Sequence, residues 1–336
     1  MANTARHLHG ARNHVHADLM KFNPAFAVFY GKFLMAAYKM YEGCPDNPTP
    51  PIAPLPAGYE FVAWVQMQDF TPLGPLPYTF YGLIASNSSN PNQCVLAIRG
   101  TEIDIEWIDD ATNIAAVPMP EFGGMVGYGF YTIYRTFQVV CPQRGKAQAR
   151  KILEGSFAQQ VANAVTQCYS EKIKHPEFVV TGHSLGAALA TLYVAENSIT
   201  PKSPIPLICT FASPLVGDAD FASKFDELKI PSWRIVNEPD LVPKVPGYSI
   251  IPPLAYKHIQ TEYLVNSTAS AVKNIPCYHH LETYLHMLDK TQPLKCKCKL
   301  PAGTTRTSPP TSTQKEIALS VPGESGTAIN ITIKIE

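Results

Sequence analysis

The sequence predicts an α/β fold with a mostly parallel central sheet, and two observations carry that prediction. Strand-like and helix-like runs alternate through the middle of the 336 residues, a pattern typical of βαβ units. One junction, FVVTGHSLGAALATLYVAE at 178–196, passes from a buried strand into a strong helix former across a Gly-x-Ser-x-Gly turn. Helices are therefore expected on both faces of the sheet.

The individual elements follow from local composition. Runs rich in β-branched and aromatic residues predict strands at 60–67, 79–86, 94–100, 177–182, 206–213 and 233–237, with a further candidate at 257–265. Periodic apolar runs predict helices at 24–41, 128–138, 156–170, 185–197, 218–228 and 279–289. The first two strands precede any crossover helix, so we expect them to form an antiparallel edge.

Two domain-level expectations concern the ends of this pattern. Residues 1–300 are expected to form the single α/β domain. Residues 301–336 open with a Ser/Thr/Pro-rich linker and end in one short strand-like segment.

Composition excludes several classes of function. Lys plus Arg and Asp plus Glu each number 27, so no basic surface for nucleic acid is expected. No apolar run reaches the length of a membrane span, and Lys32 interrupts the nearest candidate, 24–41, which is interpreted as an amphipathic helix rather than an export signal. The eight cysteines are irregularly spaced and predict neither a disulfide scaffold nor a metal site. The expected location is cytoplasmic, with secretion as the alternative.

Ser184 is the candidate nucleophile. A serine hydroxyl needs a base to take its proton and donors to hold the oxyanion that forms after attack. A tight strand-to-helix turn exposes the hydroxyl at the sheet edge and directs the first helix amide, that of Leu185, at the substrate. Gly182 and Gly186 give such a turn the space it requires.

An acid and a histidine should follow the serine in that order. Asp240 follows the strand WRIVN by a two-residue turn, at the carboxyl end of a central strand where sites collect in open α/β sheets. Asp218 is instead predicted to cap the helix that follows it.

Four histidines lie downstream of the serine. His258 falls in a strand-like run and is interpreted as a structural histidine. His286 falls within a helix, a turn or two past its start. His279 and His280 stand at the mouth of that helix, where either could reach the nucleophile.

Several separate segments resemble one family in the family's order. GHSLGAALA, RIVNEPDLVPKVP and HHLETYLH are similar to the triad segments of the class 3 lipases, the fungal-type and plant-type triacylglycerol lipases. RGTEIDIEWIDD (99–110) resembles the family's oxyanion loop, and VGYGFYTIY and TFASPLVGDADFA match further stretches, over about residues 25–290 in all. The resemblance implies an α/β-hydrolase fold with a lid.

The resemblance also implies roles for residues. It makes Ser184 the nucleophile, Asp240 the acid and His279 the base, because the plant-type pattern H-x-L-E-x-Y-L-H begins at His279. The fungal pattern places leucine directly after the histidine and favours His280 instead. The implied oxyanion donors are the amides of Leu185 and Thr101.

Two further features follow from the resemblance. Asp110 would brace the Thr101 side chain, and the spacing to Trp107 fits the family pattern. A surface acid in an acidic run is the alternative for Asp110. The segment from Ile103 to about Gly124 would be the lid, with Gly123 and Gly124 as a hinge. A fixed amphipathic helix over the sheet edge is the alternative for this segment.

The implied activity is that of a carboxylic ester hydrolase, most closely a triacylglycerol lipase, acting on acylglycerols or fatty acyl esters, at a lipid–water interface if the lid opens. It requires no cofactor and no metal. Phospholipase A1, galactolipase and feruloyl esterase activities share this chemistry. A catalytically silent lipid-binding protein and an acyl transferase to an acceptor other than water are the alternatives from other classes.

Overall fold

The computed structural model describes residues 21–71, 74–101, 115–142, 150–173, 175–199, 203–249, 252–299, 315–322 and 328–335. They fall into two units, within Met1–Lys299 and Leu300–Glu336. The strands of the first unit are β1 (Tyr59–Thr71), β2 (Gly74–Asn87), β3 (Gln93–Ile98), β4 (Ala116–Pro118), β5 (Met125–Gly127), β6 (Gln138–Pro142), β7 (Arg150–Ile152), β8 (Glu177–His183), β9 (Leu207–Phe211), β10 (Gly217–Asp218), β11 (Ser232–Asn237), β12 (Tyr248–Ser249), β13 (Leu254–Lys257) and β14 (Glu262–Val265). Its α-helices are α1 (Pro24–Gly43), α2 (Tyr128–Tyr134), α3 (Phe157–Ala164), α4 (Leu185–Ile199), α5 (Ala219–Glu227), α6 (Ile275–His279) and α7 (Leu281–Leu288).

A nine-stranded sheet forms the centre of the first unit, in the order β14-β11-β9-β8-β3-β2-β1-β6-β7. The neighbours from β14 to β3 pair in parallel, and those from β3 to β7 pair antiparallel. Each antiparallel pairing reverses the direction, so β2 and β6 oppose the other strands of the sheet. The prediction of a mostly parallel sheet is therefore confirmed, and β1 and β2 pair antiparallel as expected. They do not form the edge of the sheet, because β6 and β7 extend it beyond β1.

Helices cover both faces of this sheet, as the sequence predicts. Alternate residues of β3 show why, because successive side chains of a strand point to opposite faces. Val95 and Ala97 belong to the apolar cluster that contains α1 and α7. Leu96 and Ile98 belong to the cluster that contains α2, α3 and α4. The central strands are thus buried on both sides.

Two of the predicted strand segments are divided differently in the structure. The strand expected at 257–265 is two strands, because β13 pairs with β10 and β12 in a smaller sheet while β14 pairs with β11 in the large one. The tail holds two strands rather than one, since Lys315–Pro322 and Ala328–Ile335 pair antiparallel as β15 and β16. The sequence did not predict β15, which follows the Ser/Thr/Pro-rich stretch.

Two disulfides tie segments of the first unit, Cys141 to Cys168 and Cys277 to Cys298. The second joins helix α6 to the chain beyond α7. Disulfides persist mainly in oxidising compartments. The cytoplasmic location expected from the sequence stays a prediction, and these bonds do not favour it. None of the helices in the described ranges combines the length and the apolar character that crossing a bilayer requires.

Candidate active site

Ser184 lies at the turn between β8 and α4, at the carboxyl edge of the parallel strands. Its φ of 56° is in the left-handed region, which a non-glycine residue adopts at a cost. The turn is tight on both sides. A Cβ on Gly182 would lie 2.3 Å from the Gly186 oxygen, and one on Gly186 would lie 2.2 Å from the Ile98 oxygen. Only glycine fits at either position, as the sequence predicts.

The three side chains chosen from the sequence lie within hydrogen-bonding distance of one another. Nε2 of His279 lies 2.8 Å from Oγ of Ser184, and Nδ1 of the same ring lies 2.9 Å from Oδ2 of Asp240. These are ordinary hydrogen-bond lengths. The imidazole thus bridges a hydroxyl and a carboxylate that stand 56 residues apart in the chain, as their numbers show.

Asp240 is fully buried at the end of β11. A buried carboxylate requires hydrogen bonds to offset its lost hydration. The amide of Val242 donates to Oδ1 at 3.0 Å, and the hydroxyl of Tyr284 donates to Oδ2 at 2.6 Å. Burial and the neighbouring carboxylate raise the pKa of Tyr284 well above its ordinary value, so the hydroxyl stays protonated and donates at any working pH.

His279 is the last residue of α6. The helix is interrupted at His280, and α7 begins at the next residue. The backbone of His280, with φ −57° and ψ 130°, ends one helix and starts the next. The helix expected at 279–289 is therefore two short helices. The side-chain amide Nδ2 of Asn237 donates to the Tyr278 carbonyl at 2.8 Å and holds this segment against β11.

The other three histidines have different neighbours. The ring of His280 lies 3.3 Å from Nζ of Lys295, and burial together with that cation lowers its pKa to about 4. His258 contacts the carbonyl of Pro243 at 2.6 Å. His286 contacts the carbonyl of Gln292 at 2.8 Å. Among the four candidate histidines, the structure thus brings His279 to Ser184.

The proposed oxyanion donors come shortly after two neighbouring strands. β3 and β8 pair in parallel with Ile98 opposite Gly182, so Thr101 and Leu185 follow these strands at the same sheet edge. Leu185 is the first residue of α4, where an amide has no acceptor within its own helix. Thr101 is half-buried.

Part of the expected site lies outside the described residues. That holds for Trp107, Asp110 and the segment 103–114. Gly123 and Gly124 are described, with φ of 94° and 76°. They lie in the turn of the β4–β5 hairpin, where the amide of Met119 donates to the Gly124 carbonyl at 3.0 Å. The role of Gly123 and Gly124 as a hinge stays a prediction. In the structure they form a hydrogen-bonded hairpin turn.

Three polar side chains at the site were not predicted from the sequence: Tyr284, His183 and Tyr38. The first two occur inside the quoted motifs, HHLETYLH and GHSLG, so their positions in those motifs were the available signal. Tyr38 lies in α1, and none of the quoted motifs contains it. Within the described ranges, no group of three or more His, Cys, Asp or Glu side chains is placed to hold a metal ion.

Comparison with known proteins supports the resemblance drawn from the motifs. Residues 95–249 match the family model described as Lipase (class 3). The chain is 31% identical over 209 residues to phospholipase A1-II 4 of Oryza sativa subsp. japonica, covering 57% of this chain and 49% of that protein. It is 33% identical over 219 residues to phospholipase A1-IIgamma of Arabidopsis thaliana, covering 59% and 48%. The resemblance to the class 3 lipase family is therefore confirmed, and the chain spans about half the length of the curated relatives it matches.

A solved structure, the Rhizomucor miehei lipase propeptide complex, superposes with a TM-score of 0.48 at 22% identity, covering 72% of this chain and 68% of that one.

Proposed function

We propose that this chain, a relative of the class 3 lipases, hydrolyses carboxylic esters of fatty acids through an acyl-enzyme on Ser184. One observation carries the proposal: the imidazole of His279 contacts both Oγ of Ser184 and the buried carboxylate of Asp240. A nucleophile, a base and an orienting acid in this arrangement define acyl transfer by serine.

The first half of the reaction follows from these contacts. Oγ of Ser184 attacks the ester carbonyl carbon while Nε2 of His279 takes the hydroxyl proton. The carbonyl oxygen becomes an oxyanion, which the amides of Leu185 and Thr101 stabilise. Collapse of this intermediate breaks the bond to the alcohol oxygen. Nε2 returns its proton to that oxygen, and the alcohol leaves an acyl-serine behind.

The second half uses the same groups with water as the nucleophile. His279 takes a proton from water, the hydroxide oxygen bonds to the acyl carbon, and the fatty acid leaves as Oγ of Ser184 regains its proton. Asp240 holds the ring so that Nδ1–H points at the carboxylate and Nε2 faces the serine. The adjacent negative charge also stabilises the imidazolium that forms in both halves.

The first activity that we propose is that of a triacylglycerol lipase, with acylglycerols as its substrates. A second candidate is hydrolysis of phospholipids at the first acyl position. The observation that favours it is that the curated relatives quoted above are named phospholipase A1.

The test of the chemistry is covalent labelling together with hydrolysis. The purified chain should react with a fluorophosphonate at Ser184 and hydrolyse p-nitrophenyl esters, with the rate compared across acyl lengths. Ser184→Ala should abolish the label and lower the rate by at least ~10⁴-fold. Ser198→Ala, a change in the same helix at a hydroxyl bonded to the Ala195 carbonyl, is the matched control and should keep both.

Two outcomes would replace the proposal. A wild-type chain that binds lipid without any serine adduct would be a catalytically silent binding protein. A chain that forms the adduct and, with added alcohol, yields mainly new esters would be an acyl transferase. Free fatty acid as the main product in both conditions supports hydrolysis.

A second assay separates the two substrate classes. Triacylglycerol and a phosphatidylcholine with different acyl chains at its two positions are offered in the same detergent, and the released fatty acids are identified by mass spectrometry. Release from triacylglycerol alone supports a triacylglycerol lipase. Release of the first-position chain from phosphatidylcholine supports a phospholipase A1.

A further inference from the structure

His183, the residue before the nucleophile, takes no part in the proposed triad but is hydrogen-bonded on both sides. The side chain is 4% exposed. Nδ1 lies 2.6 Å from the hydroxyl of Tyr38, and Nε2 lies 2.9 Å from the main-chain carbonyl of His279. One buried ring therefore contacts the backbone of the proposed base and a side chain of helix α1.

The chemistry of the partners fixes the direction of these bonds. A carbonyl oxygen only accepts, so Nε2 of His183 carries the hydrogen and donates to His279. Burial and the nearby His279 ring lower the pKa of His183 well below its ordinary value, so the ring is neutral and Nδ1 accepts from the Tyr38 hydroxyl.

The chain of bonds continues to the loop that carries Thr101. The amide of Gly100 donates to the Tyr38 hydroxyl oxygen at 2.9 Å. Gly100 also lies against the nucleophile, since a Cβ placed on it would be 2.8 Å from Cβ of Ser184. The bonds therefore run Gly100 N–H to Tyr38, Tyr38 O–H to His183, and His183 N–H to the His279 carbonyl.

We propose that His183 and Tyr38 are positioning residues, which hold the backbone of the base and the oxyanion loop at a fixed separation around Ser184. The inference rests on the proposed ester hydrolysis and extends it to two residues outside the triad. Both ends of the bond chain are backbone groups next to reacting atoms. A loosened chain would therefore misplace the base relative to the oxyanion donors, and such misplacement is costly in rate.

The positioning role requires that the ring of His183 stays neutral. The rings of His183 and His279 lie 4.9 Å apart between centroids. An imidazolium forms on His279 during the reaction, and a second positive charge at that distance would oppose it. The bond to the His279 carbonyl supplies the positioning contact while His183 remains uncharged.

Substitutions at His183 distinguish a role in positioning the base and the oxyanion loop from a role in core packing alone. His183→Leu removes both hydrogen bonds, whereas a glutamine at 183 keeps one amide acceptor and one amide donor. We expect kcat per fluorophosphonate-titrated site to fall about 10- to 100-fold in His183→Leu, with KM for a short p-nitrophenyl ester nearly unchanged. His183→Gln should restore most of this loss. Equal rates per titrated site in both variants and wild type would overturn the inference.

Tyr38→Phe tests the other end of the bond chain, with Tyr193→Phe as the matched control. Within the described residues, the buried hydroxyl of Tyr193 has no hydrogen-bond partner. Tyr38→Phe should lower kcat about 10-fold or more, whereas Tyr193→Phe should leave it unchanged. Because one connected chain is broken in either place, combining Tyr38→Phe with His183→Leu should add little further loss. Losses that multiply would contradict a shared bond chain.

The proposed hydrolysis and the proposed positioning role can fail separately. If the wild-type chain neither reacts with the fluorophosphonate nor hydrolyses esters, the proposed function and this inference both fall. If wild type is active and the variants match it per titrated site, this inference alone falls. Should His183→Leu fail to fold, the comparison of Tyr38→Phe with Tyr193→Phe decides the question.

Discussion

The hydroxyl of Tyr284 lies 2.6 Å from Oδ2 of Asp240, the carboxylate oxygen that also contacts the ring of His279. Tyr284 is fully buried and comes from α7, directly after the segment that carries His279. One helix therefore supplies a donor to the acid, while the residue two positions before its start supplies the imidazole.

Tyr284→Phe should lower the free energy of unfolding by about 1–3 kcal/mol, because the buried carboxylate of Asp240 loses a donor. Urea denaturation monitored by circular dichroism measures this change. The matched control is again Tyr193→Phe, whose hydroxyl contributes no bond among the described residues, and it should be neutral. Equal stabilities of the two variants would show that the contact with Asp240 contributes nothing to stability.

His279→Gln and His280→Gln form a pair of neighbouring substitutions with opposite expected results. The first removes the group that contacts Ser184, so kcat/KM should fall by about 10⁴-fold or more. The second removes a ring that contacts Lys295, and kcat/KM should stay within about threefold. Hydrolysis of a soluble p-nitrophenyl ester measures both. A larger loss at position 280 would assign the base to His280.

Stability should decrease as the pH falls from about 6.5 towards 4. Burial lowers the pKa of His258 and of His280 to about 4 in the folded chain. Between that value and 6.5 the unfolded chain binds a proton that the folded chain excludes, so acid favours unfolding. Each such group contributes a slope of at most about 1.4 kcal/mol per pH unit, less for these half-buried rings because water screens them.

The measurement is the urea midpoint at a series of pH values. His258→Gln should flatten the dependence, since the amide at 258 has no proton to gain. His175→Gln serves as the control and should leave the curve as it is in wild type, because His175 is exposed and its substitution removes no buried group. A curve for His258→Gln that coincides with wild type would contradict the assigned role of this ring.

Removing the disulfide between Cys277 and Cys298 should cost about 3 kcal/mol of unfolding free energy, the value expected for a bond that closes a loop of this size. Cys277→Ser/Cys298→Ser tests it by urea denaturation, with Cys44→Ser as the control because Cys44 is a free, half-buried thiol. Peptide mapping without reduction should also recover the linked pairs 277–298 and 141–168. Alkylated thiols at these four positions would contradict the pairing.

Much of the fold could be predicted because the relevant signals are local. The strand before Ser184 and the helix after it are each continuous in the sequence, and glycines mark the turn between them. The division at 258–261 could not be predicted in the same way. Residues 257–265 form one strand-like run in the sequence, and its division between β13 and β14 depends on which distant strands each of them pairs with.

The sequence by itself determined the chemistry available and its order along the chain: a serine in a glycine-flanked turn, then an acid after a strand, then paired histidines. It also determined the class of sheet, because alternation and apolar periodicity are local properties. Only the tertiary structure decided which histidine meets Ser184, because the break at His280 directs the two neighbouring rings to different partners. It also brought Tyr38, His183 and Tyr284 to the site, since their contacts join segments far apart in the chain whose meeting depends on how the helices pack across the sheet.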